Sequence, residues 1–93
     1  MPNLTNTDTN IFYGCTGLTK ILSLGNITQI KDNSFRGCTG LTSVVFPNTL
    51  TDIGNSAFCG CSGLTSIDLS STSVTTIRGS AFLDTSLTTV SLP

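Results

Sequence analysis

Histidine, glutamate and tryptophan are absent from the 93 residues of this chain, and only one residue in ten is charged. Without histidine, neither a histidine-based catalytic triad nor an imidazole metal ligand can be assembled. Without glutamate, the carboxylates reduce to Asp8, Asp32, Asp52, Asp68 and Asp84. These fall at different positions of the pattern described below, so none is paired with another on a shared face for acid–base chemistry. The cations Lys20, Lys31, Arg36 and Arg78 are scattered and the net charge is −1, which leaves no electrostatic footprint for nucleic acid. No apolar run approaches the roughly 18 residues that span a bilayer. Residues 1–10 are polar and lack the basic start and apolar stretch of a secretory signal. These absences argue against an enzyme, a nucleic-acid partner, a membrane span and any cofactor or metal.

What is present is repetition. Gly-Cys-Thr-Gly-Leu-Thr begins at Gly14, returns at Gly37, and returns at Gly60 with Ser62 in place of threonine, 23 residues apart each time. Phe12, Phe35, Phe58 and Phe82 follow spacings of 23, 23 and 24; Leu18, Leu41, Leu64 and Leu87 are each 23 apart, as are Ile21, Val44, Ile67 and Val90. Ile27, Leu50 and Val74 come later in each unit, and Ile30, Ile53 and Ile77 follow them by three. A fixed period of this length marks a solenoid, whose units bury their apolar faces against one another. The chain reads as a single domain over 1–93, with a degraded half-repeat at 1–11, where Thr7 or Asp8 stands at an isoleucine position. Full repeats start near 12, 35, 58 and 82.

Residues 43–46, 66–69 and 89–92 alternate polar and apolar with β-branched side chains, which predicts short strands joined in one parallel sheet. A second extended piece is expected at 50–53 and 74–77. Residues 34–38 and 56–61 open on serine and place Phe and Cys three apart, which predicts one helical turn each. Gly40 and Gly63, just before the strand, are expected to supply a left-handed φ. Ser23 stands where Phe46, Leu69 and Leu92 recur, and Leu24 is expected to shift into its place.

The string Ile53-Gly54-x-x-Ala57-Phe58-x-x-Cys61-x-x-Leu64-Thr65-x-Ile67-x-Leu69 resembles the repeat of the BspA-like leucine-rich repeat family, and the likeness covers residues 12–93. The resemblance implies a right-handed leucine-rich-repeat solenoid of the α/β repeat type, with about four 23-residue coils. Its parallel sheet would line the concave face and its short helical turns the convex side. It also implies protein binding or adhesion as part of a larger cell-surface protein, and hence a protein or cell-surface partner and a surface or extracellular location. The fourth unit departs from the pattern: Leu83-Asp84-Thr85-Ser86-Leu87 lacks the Gly-Cys pair.

Cys15, Cys38 and Cys61 share one repeat position, with no Cys-x-x-Cys pair to converge on zinc. They are expected to form a buried ladder of reduced thiols, while Cys59, beside a core phenylalanine, is expected to point outward and react first. Thr19, Thr42, Thr65 and Thr88, and Thr28, Thr51 and Thr75, form two ladders. A threonine-faced solenoid can order water at an ice surface. Each ladder supplies a single threonine per coil, however, and strand-edge stacking fits that better. Two tripeptides, Asn3-Leu4-Thr5 and Asn26-Ile27-Thr28, match the N-glycosylation pattern.

Because alternate strand residues point away from the core, the concave binding face is expected to comprise Lys20, Leu22, Ser43, Val45, Ser66, Asp68, Thr89 and Ser91. A structural unit that stacks end to end without a ligand is the alternative to a binding module. The strand at 89–92 has no cap after it in this sequence, which is expected to permit homo-association.

Overall fold

The computed structural model describes residues 10–93; the half-repeat positions Thr7 and Asp8 and the tripeptide at Asn3 lie outside them. Each of the first three units contributes two short strands and the fourth contributes one. β1 (Lys20–Ile21), β3 (Ser43–Val44), β5 (Ser66–Asp68) and β7 (Thr89–Ser91) are the first strands of successive units; β2 (Gln29–Ile30), β4 (Asp52–Ile53) and β6 (Thr76–Ile77) are the second. The strands pair in parallel with partners one repeat apart: Lys20 faces Ser43, Ile67 faces Val90, and Ile30 faces Ile53. The period seen in the sequence is thus the register of the sheets.

The second strands form one three-stranded sheet in the order β2-β4-β6. The first strands do not form the single sheet expected of them: β1 pairs with β3 and β5 with β7, so the ladder is interrupted between β3 and β5. Pairing between Ile53 and Ile77 carries the one 24-residue offset. The extra residue is absorbed in the turn after Leu69, where the Thr72 hydroxyl is buried and donates to the Leu69 carbonyl at 2.7 Å.

The expected helical turns at 34–38 and 56–61 are not helical; no helix occurs among the described residues. Instead the arc between the second and first strands alternates its backbone donors. Asn33, Phe35 and Gly37 donate to Asn55, Ala57 and Cys59 of the next unit at 3.0, 2.8 and 2.8 Å. The intervening Ser34, Arg36 and Cys38 donate back within their own unit to Lys31, Asn33 and Phe35. A left-handed residue brackets each phenylalanine two positions away: Asn10, Asn33, Ser56 and Ser80 before it, and Gly14, Gly37, Gly60 and Asp84 after it. A helix needs right-handed φ throughout and directs every N–H along its own axis. This arc directs half of them to the neighbouring unit.

That correction also moves the role of the glycines. Gly40 and Gly63 are not left-handed. A Cβ at Gly40 would stand 2.5 Å from the Thr16 carbonyl oxygen, and one at Gly63 would stand 2.9 Å from that of Thr39. They are required because the backbones of adjacent units approach closely there.

The core is a column of repeated side chains. Phe12, Phe35, Phe58 and Phe82 stack with centroids 5.2, 5.1 and 5.4 Å apart, and Phe46 meets Phe58 edge-on at 5.8 Å. Leu41, Leu50, Ile53 and Leu64 are fully buried around them. Leu24 is buried and Ser23 exposed, so the one-residue shift expected in the first unit is present.

Candidate functional site

Two sets of side chains could carry chemistry: the thiols inside the arc and the outer face of the first strands. All four cysteines are free. The Cys38 thiol donates to the Phe12 carbonyl and the Cys61 thiol to the Phe35 carbonyl, each at 3.1 Å and each from one unit to the one before it. A thiol is a small apolar group with one weak donor, so it fills the column and also ties neighbouring units together. Thr85 takes the same position in the fourth unit and donates to Phe82 at 2.8 Å. Burial raises the Cys38 thiol above its ordinary range and pushes Cys61 up to about 12. Such thiols are poor nucleophiles at neutral pH. Cys59 is buried, contrary to expectation, and Cys15 at the first unit is the most open of the four. Cys59 shares its row with Tyr13, Arg36 and Leu83, all exposed.

The threonine hydroxyls join units as well. Thr42 donates to the Thr19 carbonyl at 3.1 Å, Thr51 to Thr28 at 3.0 Å and Thr88 to Thr65 at 3.3 Å. This is the strand-edge stacking expected of the ladders; their protons go to backbone rather than to surface water.

On the outer face, register pairs Lys20 with Ser43, Ser66 with Thr89 and Asp68 with Ser91, and Leu22 and Val45 follow the paired segments of β1 and β3. All are exposed except Ser43, which is half-buried. They do not share one hollow. Ser43, Ser66, Asp68, Thr89 and Ser91 line one groove of about 290 Å³ together with Thr42, Val44 and Ile67. Lys20 and Leu22 line a separate apolar depression with Phe12, Leu18, Ile21 and Leu24. Val45 borders a third hollow with Phe46, Asp68 and Ser71. Sequence reasoning missed Thr42, Val44 and Ser71. The first two belong to rows assigned to ladder and core.

Asp68 is the one carboxylate on this face. It accepts the Ser70 hydroxyl at 2.5 Å and the Ser70 N–H at 2.9 Å, and these bonds hold its pKa below the usual carboxylate value. A charged acceptor among hydroxyls can orient a polar ligand. On the second-strand side, Arg78 clasps Asp52 through Nε at 3.1 Å and a terminal nitrogen at 2.9 Å. Among the described residues no three potential metal ligands gather, and no helix is long and apolar enough to cross a membrane.

The model of the BspA-type leucine-rich repeat region matches residues 2–93, in six copies. The chain belongs to the BspA-type leucine-rich repeat family. Its backbone is similar to the crystal structure of a leucine-rich repeat protein from T. pallidum, with a TM-score of 0.63 and 25% identity. That match covers 94% of this chain and 51% of the other, so the chain spans about half the length of that protein. No curated protein matches. Proteins built on BspA-type repeats are typically non-enzymatic scaffolds, often surface-associated, and leucine-rich repeats generally mediate protein interactions.

Proposed function

We propose that this chain is a protein-binding module of adhesion type, a right-handed solenoid of about four coils forming one domain and belonging to a larger cell-surface protein. Its concave face would be the face of the first strands. The observation that carries this reading is that Leu22 and Val45, each one residue past the paired segments of β1 and β3, are 73% and 53% exposed. Exposed aliphatic side chains at equivalent positions of successive units, on a face that otherwise carries hydroxyls, one lysine and one aspartate, mark a contact surface. Lys20 at one end and Asp68 towards the other would set the direction of a partner lying across the strands. The same surface offers no catalytic constellation, which supports binding rather than turnover.

The test is a selection of binders from a random-peptide display library against the full chain, repeated with Leu22→Asp/Val45→Asp. The expected result is loss of the selected peptides on the double variant with an unchanged thermal midpoint. Peptides that bind both proteins equally would refute the assignment of the face.

A second reading, a structural unit that stacks end to end, is favoured by Ile77, Val90 and Leu92. These are exposed, whereas Ile53, Ile67 and Leu69, their counterparts one repeat earlier in the chain, are buried. That face would take a further leucine-rich coil. Sedimentation across a concentration series tests it: association abolished by Val90→Lys supports the stacking, and a strict monomer removes it.

A further inference from the structure

Asn26 lies in the exposed turn that leads from the first strand of its unit to the second, beside the left-handed Gly25. Leu24 and Ile27 on either side of this turn are both buried. Gly25 and Asn26 therefore form a two-residue protrusion between two anchored side chains. Asn26, Ile27 and Thr28 satisfy the acceptor pattern for N-linked glycosylation. The corresponding turn of the next unit carries Asn48-Thr49-Leu50, which lacks the hydroxyl two residues on.

The rest of the tripeptide is held by the second unit. The Ile27 carbonyl accepts the Thr49 hydroxyl at 2.7 Å; the Thr28 carbonyl accepts the Thr51 N–H at 2.8 Å and the Thr51 hydroxyl at 3.0 Å. A transferring enzyme must take hold of all three residues. Here the middle side chain is in the core, and the last two carbonyls are engaged by another unit. We propose that Asn26 is an acceptor for an N-linked glycan and that it takes the glycan before the first and second units close on each other. In the reaction, Nδ2 of Asn26 forms a bond to the anomeric carbon of a polyprenyl-diphosphate-linked oligosaccharide. The bond from that carbon to the diphosphate oxygen breaks, the diphosphate leaves with the electron pair, and the amide releases one proton.

The experiment presents the full chain, carrying Asn3→Gln to remove the other tripeptide, to a eukaryotic oligosaccharyltransferase and its polyprenyl-diphosphate oligosaccharide. One sample is native. The other has its four cysteines carboxamidomethylated in denaturant, which places bulky groups at Cys38 and Cys61 and keeps the column from closing. Intact mass is the readout. The expected result is a gain of one glycan on the open chain, lost with Asn26→Gln and with Thr28→Ala and kept with Thr28→Ser, and no gain on the native chain. An open chain that gains no mass overturns the acceptor. A native chain modified as fully as the open one overturns the order of events.

Discussion

The first strands of the third and fourth units carry aliphatic side chains at the same inward positions, and their burial differs. Ile67 is 5% exposed and its counterpart Val90 47%; Leu69 is fully buried and Leu92 is 61% exposed. Both members of each pair are aliphatic and β5 and β7 are paired throughout, so neither local sequence nor strand pairing explains the contrast. The explanation is the nearest-neighbour character of a repeat: an apolar face is buried only where another unit lies on it. A residue's energetic weight in this chain therefore depends on its distance from the end of the stack.

The largest expected test of that contrast is at the phenylalanine column. Phe58 is stacked on both faces and met edge-on by Phe46. Phe58→Ala should destabilise by about 3–5 kcal/mol in a denaturant titration. Val90→Ala should cost well under about 1 kcal/mol, because much of that side chain is already in water. Equal losses would break the comparison.

Next in size is the close approach of units at Gly40. Gly40→Ala places a methyl group against the Thr16 carbonyl and should cost about 1–3 kcal/mol. Gly17→Ala, at the same position of the first unit, meets nothing within 4 Å. Thermal unfolding should find the second variant close to wild type, which separates crowding between units from a backbone requirement of the repeat itself.

A smaller effect should follow pH. The folded Cys61 thiol titrates near 12, above its ordinary 9.0, because of burial. A folded pKa that is raised means that the folded chain holds the proton more tightly. The contribution of Cys61 is then intact below pH 9 and is lost progressively as pH rises from 9 to 12. The denaturation midpoint should fall across that window, and less steeply in Cys61→Ala. In the same pH range thiol labelling of the native chain should modify Cys15 first and Cys38 and Cys61 last.

The smallest expected effect is at the Arg78–Asp52 pair, which joins the second and third units at the surface. Asp52→Asn should lower stability slightly at low ionic strength and not at high salt. Comparing unfolding midpoints in the two buffers measures how far a surface contact holds these two units together.

The spacings of Phe12, Leu18, Ile21, Ile27 and Ile30 were sufficient to place the core and the strand register. In stacked units the same inward position recurs once per period, and its side chain must be apolar wherever a neighbour covers it. The rows of the outer strand face were legible for the same reason, since strand side chains alternate. The path of the arc was not. Asn33 and Ser56 read as ordinary turn or helix-cap residues, and their left-handed φ follows from donating alternate N–H groups to a unit 22 or 23 residues away. Gly40 and Gly63 looked like turn glycines, and their actual constraint is the carbonyl of another unit. Cys59 was misjudged: beside a core phenylalanine in the chain it was expected to point outward, and it is buried. The period and the identity of inward positions are properties of one unit and can be read from one dimension. The interrupted ladder, the grooves of the strand face and the burial of Cys59 arise between units, where hydrogen bonds and van der Waals contacts join residues far apart in the chain, and only the tertiary structure decided them.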